Sequence, residues 1–198
     1  MRLPNKELEN QILDATIELL MEKEPAEIGM RDIAKKCNVS ATTIYNYYKD
    51  KNQLFMKISL FFLRELSEKM SAALKTVEPP AEKIRTALKV YRDWCFEKPE
   101  VALLVFSKLK ETISDEDIMN FYICNRLGEN LLAECEDKKL YKGKDVALDT
   151  GIIISGMWGC IESIITKRAD PVFWNEGILF TDRFIEVIIS SLIEEKDK

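Results

Sequence analysis

Within VSATTIYNYYKDKNQLF, residues 39–55, hydroxyls, phenols and an amide crowd together at Thr42, Thr43, Tyr45, Asn46 and Tyr47. These groups exchange hydrogen bonds without carrying charge, so their chemistry is recognition rather than proton transfer. On a helix over residues 41–48, turning about 100° per residue, Ala41, Ile44 and Tyr48 share one face. Thr42, Thr43 and Asn46 take the opposite face, with Tyr45 and Tyr47 on the flanks. A purely solvated face would more often carry lysine and glutamate.

Catalytic chemistry has less to draw on. The chain has no histidine, which removes His-based metal sites and the usual general base. A di-iron bundle built on Glu-x-x-His pairs goes with them. Cys37, Cys95, Cys124, Cys135 and Cys160 are odd in number and lack CxxC spacing. They read as free thiols used as small core residues. No catalytic residue, metal or cofactor is expected. An all-α enzyme working through carboxylates or thiols, and a helical protein-interaction adaptor, remain as alternative classes.

Charge is unevenly placed. Residues 31–57 hold Arg31, Lys35, Lys36, Lys49, Lys51 and Lys57 against Asp32 and Asp50, a net of +4. The whole 198-residue chain carries −5, so the remainder carries −9. Because salt limits the reach of distant charge, a basic island on an acidic body can still meet phosphate.

The elements that position these residues are helices. Seven Gly and six Pro are few among 198 residues, and helix formers are abundant, which predicts an all-α fold of about nine helices. A first helix over 5–23 carries Leu8, Ile12, Ala15, Ile17, Leu19 and Leu20. MRDIAKKC forms a short second helix, Asn38 suits a left-handed helix end, and Ser40 suits the cap of a third. Two short helices joined by such a turn form a helix-turn-helix, whose second helix enters a major groove. Asp50 caps a long fourth helix to about residue 75, shared between two parts of the chain. Pro79-Pro80 interrupts it. Further helices are expected over about 81–97, 99–111, from a Ser114/Asp117 cap to 137, 145–168 and 175–195. GIIISGMWGCIESII, residues 151–165, is shorter than a membrane span and contains Glu162, so it reads as a buried helix. No leader segment opens the chain, and a cytoplasmic protein without membrane contact is expected.

MRDIAKKCNVSATTIYNYYKDKNQLF resembles the DNA-binding region of the tetracycline-repressor (TetR/AcrR) family of bacterial transcriptional regulators. That resemblance implies a helix-turn-helix domain over 1–49 and a C-terminal ligand-binding and dimerisation domain over 50–198, in a homodimer. By the family pattern Thr42, Thr43 and Tyr45 approach base edges, Tyr47 and Lys51 meet phosphates, and Arg31 reaches base or backbone. Ala41 and Asn46 occupy variable positions of the same helix. Two departures stand out. Cys37-Asn38 replaces the usual Ala-Gly turn, and Gly29 replaces a Ser or Thr cap. The expected function is a repressor, released from a palindromic duplex operator by a small hydrophobic effector.

Aromatic and apolar residues of the C-terminal part offer walls for such an effector. These are Phe62, Leu66, Tyr91, Trp94, Phe106, Phe121, Tyr122, Met157 and Trp158, with Glu162 as a carboxylate needing a partner. The partner could be solvent, a lysine across the dimer, or a cationic ligand. Small residues Gly156 and Gly159, with Phe184 and Ile188 on the last helix, suit a two-fold four-helix interface.

Overall fold

The computed structural model describes residues 5–106, 115–168 and 170–195. Among them are eleven helices and no strand beyond one isolated bridge between Tyr141 and Ile193. In chain order they are α1 (Lys6–Leu20), α2 (Met30–Lys36), α3 (Ala41–Tyr45), α4 (Lys51–Leu74), α5 (Pro80–Glu97) and α6 (Pro99–Phe106). Then follow α7 (Asp115–Phe121), α8 (Ile123–Asp137), α9 (Val146–Ile165), α10 (Pro171–Asn175) and α11 (Gly177–Leu192). The sequence predicts about nine. The extra two arise because Tyr122 interrupts the helix expected up to 137, and because ADPVFWN contains a helical turn of its own. The expected end of the sixth helix near 111, and its neighbour Ser114, lie outside the described residues.

Two compact units emerge. Of the described residues, one unit takes 5–62, 100–106 and 115–118; the other takes Leu63–Pro99, 119–168 and 170–195. Helix α4 thus contributes residues to both.

In the first unit α1 starts at Asn5, whose side chain accepts the Glu7 N–H at 3.0 Å. Its inner face buries Ile12, Ala15, Leu19 and Leu20 together with Thr16, whose hydroxyl donates to the Ile12 carbonyl at 2.7 Å. Ile28, Ile33, Ala34, Ile44, Tyr48, Leu54, Phe55 and Ile58 complete that core. Every one of them is apolar or aromatic, and the short helices α2 and α3 depend on this burial because they are too brief to persist alone.

The second unit packs α5, α8, α9 and α11 around Leu66, Trp94, Leu132, Met157, Ile161, Ile185 and Ile189. Two arginines of α5 are paired with carboxylates. Buried Arg92 meets Asp93 at 2.8 Å and also Asp182, while Arg85 meets Glu186 at 2.9 Å and Glu195 at 2.7 Å, tying α5 to α11 and the chain beyond it.

Three helices end alike. Asn38, Lys139 and Lys167 sit at φ 54°, 58° and 53°. The next N–H of each returns to the helix, from Val39 to Ala34, Leu140 to Cys135 and Arg168 to Ser163 at 3.0, 2.8 and 3.0 Å.

Helix α9 differs from its sequence expectation. At 20 residues it is long and apolar enough to cross a membrane by length and composition. It is not buried all round either. Thr150, Ile153, Met157 and Ile161 face the unit's core, whereas Leu148 and Ile152 are 64% and 54% exposed.

Candidate nucleic-acid interface

The turn between α2 and α3 is built by local hydrogen bonds. Gly29 has no side chain to cap α2, yet its N–H donates to the Asp32 carboxylate at 2.9 Å, which anchors the first turn from the other end. Asn38 takes the left-handed conformation usually given to glycine, as its side chain permits. Ser40 then caps α3, accepting the Thr43 N–H at 3.1 Å.

That cap alters the role of Thr43. Its hydroxyl lies 2.8 Å from the Ser40 hydroxyl and the residue is half-buried, so it serves the start of the helix. Thr42 and Asn46 are exposed, Ala41 is half-buried, and Tyr45 is 52% exposed. Regular helix stops at Tyr45 rather than at residue 48, and Tyr47 and Tyr48 continue as a turn bonded to the Ile44 carbonyl at 2.9 and 3.0 Å. Ile44 and Tyr48 are buried, which leaves Thr42, Tyr45 and Asn46 to face outward.

Two residues assigned to phosphate by resemblance are engaged within the module. The Tyr47 hydroxyl accepts the Asn5 N–H at 3.0 Å and donates to the Asn5 carbonyl at 3.4 Å. The Lys51 ammonium donates to the carbonyls of Pro25 and Ile28 at 3.0 and 2.9 Å, with Ala26 at 3.5 Å. It also lies 5.3 Å from the Phe55 ring centroid. Three carbonyls take up the three protons of an ammonium, so Lys51 fastens the connection from α1 to α2 instead of projecting from the surface. Spacing alone does not reveal this, because the acceptors lie over twenty residues earlier in the chain.

Cations remain on the surface. Arg31, Lys35, Lys49 and Lys57 are exposed, and among the described residues none has a carboxylate within ion-pair distance. Lys36 is different, held by Glu18 at 2.9 Å and Glu22 at 3.4 Å, and those hydrogen bonds raise its pKa despite the opposing effect of desolvation. Asp50 caps α4 by accepting the Gln53 N–H at 2.9 Å, while the Gln53 side chain accepts the Lys49 N–H at 2.7 Å. Sequence reasoning misses both Gln53 and Asn5, although the capping-box spacing from Asp50 to Gln53 is a signal for the first.

Burial pushes the thiol pKa of Cys37 upward, and its Sγ lies 3.6 Å from the Gln11 carbonyl. The same cause raises the other four thiols, Cys135 to about 11 and Cys124 to about 12. All five are free. A thiol held protonated is a poor nucleophile and a poor redox sensor.

The expected effector residues split by exposure. Phe62, Leu66, Tyr91, Trp94 and Met157 are buried, Phe106, Phe121, Trp158 and Glu162 are half-buried, and Tyr122 is exposed. Trp94 donates its indole N–H to Glu65 at 3.0 Å, and Lys98 meets the same carboxylate at 2.5 Å. Burial would raise the Glu65 pKa, but the bonds from Lys98 and Trp94 outweigh it and hold the carboxyl below its usual range. Glu162 has found its partner within the chain: Arg168 lies 2.5 Å away, brought back by the left-handed Lys167. A lysine across a dimer and a cationic ligand are therefore not required to balance it.

The interface residues also divide. Gly156 faces Phe184 inside the unit, where a Cβ would come within 2.7 Å of the ring. Gly159 opens on empty space, and Phe184 and Ile188 are half-buried. The outward stripe of α9 is Leu148, Ile152, Ser155 and Gly159, and that of α11 is Leu179, Arg183, Val187 and Ser190.

Residues 12–58, which contain this helix-turn-helix, match the bacterial regulatory proteins of the tetR family. Over that segment the chain is similar to the family's members. An uncharacterised HTH-type transcriptional regulator of Mycobacterium tuberculosis (strain CDC 1551 / Oshkosh) is 33% identical over 88 residues, 42% of this chain and 44% of that protein. The chain thus spans under half the length of that relative. Two solved structures share the fold over nearly the whole chain. FadR from Bacillus subtilis, in complex with stearoyl-CoA, superposes with a TM-score of 0.68 at 19% identity, covering 91% of this chain and 97% of its own. RolR in complex with resorcinol gives 0.72 at 14% identity, covering 96% and 89%. The segment 12–58 is thus similar to regulatory proteins, and the two structures share the fold of the chain.

Proposed function

We propose that the chain is a ligand-responsive transcriptional repressor that works in the cytoplasm as a homodimer. The observation that carries the DNA reading is the α3 surface, where Thr42, Tyr45 and Asn46 face outward while Ile44 and Tyr48 anchor the helix below them. Base edges meet these three side chains. Phosphates meet the exposed cations Arg31, Lys35 and Lys49, and Lys51 stays with its carbonyls.

The dimer rests on α9 and α11. Each packs on the other and each leaves an outward apolar stripe, with Leu179 64% and Val187 46% exposed beside Leu148 and Ile152. A symmetric partner covers both stripes at once in a four-helix contact. Two recognition helices then read an imperfect palindrome about one helical turn, ~34 Å, between half-sites. The structures that share the fold hold stearoyl-CoA and resorcinol, which supports an organic effector for this chain as well, and the effector proposed here is small and hydrophobic. Effector and operator are coupled if they favour different states of the dimer.

Selection of bound duplexes from a random pool tests the reading and yields the operator. On that operator Thr42→Ala or Tyr45→Ala changes the preferred bases, each base interaction being worth about 1–3 kcal/mol of discrimination. Lys49→Ala instead weakens all duplexes alike and lowers the salt slope by roughly 0.9 for each phosphate that the lysine neutralises. No enrichment over the starting pool would remove the DNA-binding reading altogether.

A further inference from the structure

Along α1, Asn10, Leu13, Asp14 and Ile17 follow one another at helical spacing and form one stripe. Ile58 and Phe61 stand on successive turns of α4. Helix α1 packs on α2, but between its stripe and these two residues it leaves a cavity of about 280 Å³. All six residues belong to the first unit. Half-buried Leu13 and Ile17 and the exposed Phe61 supply apolar walls, and fully buried Ile58 closes the floor.

Two features give this cavity a chemistry. Its polar side chains are Asn10 and Asp14, both exposed, and among the described residues neither has a hydrogen-bond or ion-pair partner. Helix α1 carries Glu7, Glu9, Asp14 and Glu18 against Lys6 alone, and Glu18 is taken by Lys36 at 2.9 Å. Lys57 and Arg64, the cations of α4 that flank Phe61 in sequence, do not line the cavity. The second feature is the Phe61 ring, more than half exposed although the buried Phe62 ring stands against it, centroids 5.3 Å apart. A carboxylate beside an open aromatic ring suits an organic cation, which gains from the charge of one and the quadrupole of the other. An ammonium brings three donors, for which the Asp14 and Asn10 oxygens are acceptors. An anion would meet repulsion from Asp14. The volume is at the lower limit of small-molecule sites.

We propose that this groove binds a small protonated amine with an apolar body the size of one ring. Its ammonium lies on Asp14 and Asn10, and its ring against Leu13, Ile17 and Phe61. Occupancy of the groove does not depend on the DNA-binding reading.

The probes are phenethylamine, phenethyl alcohol and phenylacetate, alike in size but cationic, neutral and anionic. Binding is followed on the ¹³C methyl signals of isoleucine and methionine, the Ile17 signal being the one absent from Ile17→Val. On the unaltered protein phenethylamine shifts the Ile17 signal saturably and leaves that of Met157, in the core of the second unit, in place. Phenethyl alcohol binds roughly 2- to 5-fold more weakly, the worth of an exposed ion pair, and phenylacetate more weakly still. In Asp14→Asn, an exposed position, the amine falls to the level of the alcohol. An Ile17 signal unmoved by phenethylamine up to its solubility overturns the proposal. So does equal affinity for the three probes, or an affinity for the amine unchanged in Asp14→Asn. An Ile17 signal that moves on dilution with no probe present gives the groove to a second copy of the chain, and overturns it as well.

Discussion

Replacing Leu148 and Ile152 together by arginine is expected to give a protein that scatters light with the mass of one chain. Its selected operator should bind about 10²–10⁴-fold more weakly than the unaltered protein's, because joining two half-site contacts in one molecule is worth that much avidity. Both side chains are more than half exposed within the chain, so the substitutions disturb little of its own core. Facing a second α9, however, each arginine would have to bury an unpaired charge. A circular-dichroism spectrum unchanged from the parent separates loss of assembly from loss of fold. Retention of the parent mass by the double variant would place the interface elsewhere. Gly156→Leu is a poorer test, because its target is the Phe184 ring within the chain.

The second large effect is expected at Lys51. Changing it to methionine keeps the aliphatic stem and removes the ammonium that holds the Pro25 and Ile28 carbonyls. Hydrogen bonds to charged groups contribute about 1.5–3 kcal/mol, and a carbonyl left unsatisfied adds to the loss. The variant should therefore unfold at lower denaturant concentration, by about 2 kcal/mol, and bind every duplex more weakly. Its salt slope should match the parent's, since the ammonium neutralises no phosphate. A slope lowered by roughly 0.9 per protomer, with stability unchanged, would return Lys51 to the phosphate role that the resemblance implies.

That lysine marks where the sequence stops being legible. Helical periodicity is enough to place Ile44 and Tyr48 inward and Thr42 and Asn46 outward, because burial of a short helix follows its apolar positions. Capping chemistry is legible for the same local reason at Ser40 and Asp50. Contacts distant along the chain are not. The acceptors of Lys51, the Tyr47–Asn5 bonds and the close approach of Gly156 to Phe184 depend on packing that no local pattern encodes. Glu162 is hidden for a different reason. Its partner Arg168 is only six residues away but lies past a helix end, and a left-handed lysine is what turns the chain back. The apolar run of α9 misleads in one more respect, since composition cannot tell a helix buried on all sides from one that leaves an apolar face exposed.

Helix α3 has five residues and cannot exist as an independent helix in water. Its integrity is borrowed from α2, on which it packs, and from α1 through the Tyr47–Asn5 bonds and the ties of Cys37 to Gln11 and Lys36 to Glu18. Local opening of α1 therefore abolishes the recognition surface even while the second unit stays folded. In deuterated solvent the amides of α3 should exchange in step with those of α1, and bound operator should slow both sets by the same factor. The affinity for DNA then includes the free energy of keeping α1 docked, so substitutions at Asn5 or Gln11, remote in sequence from every base contact, tune operator occupancy.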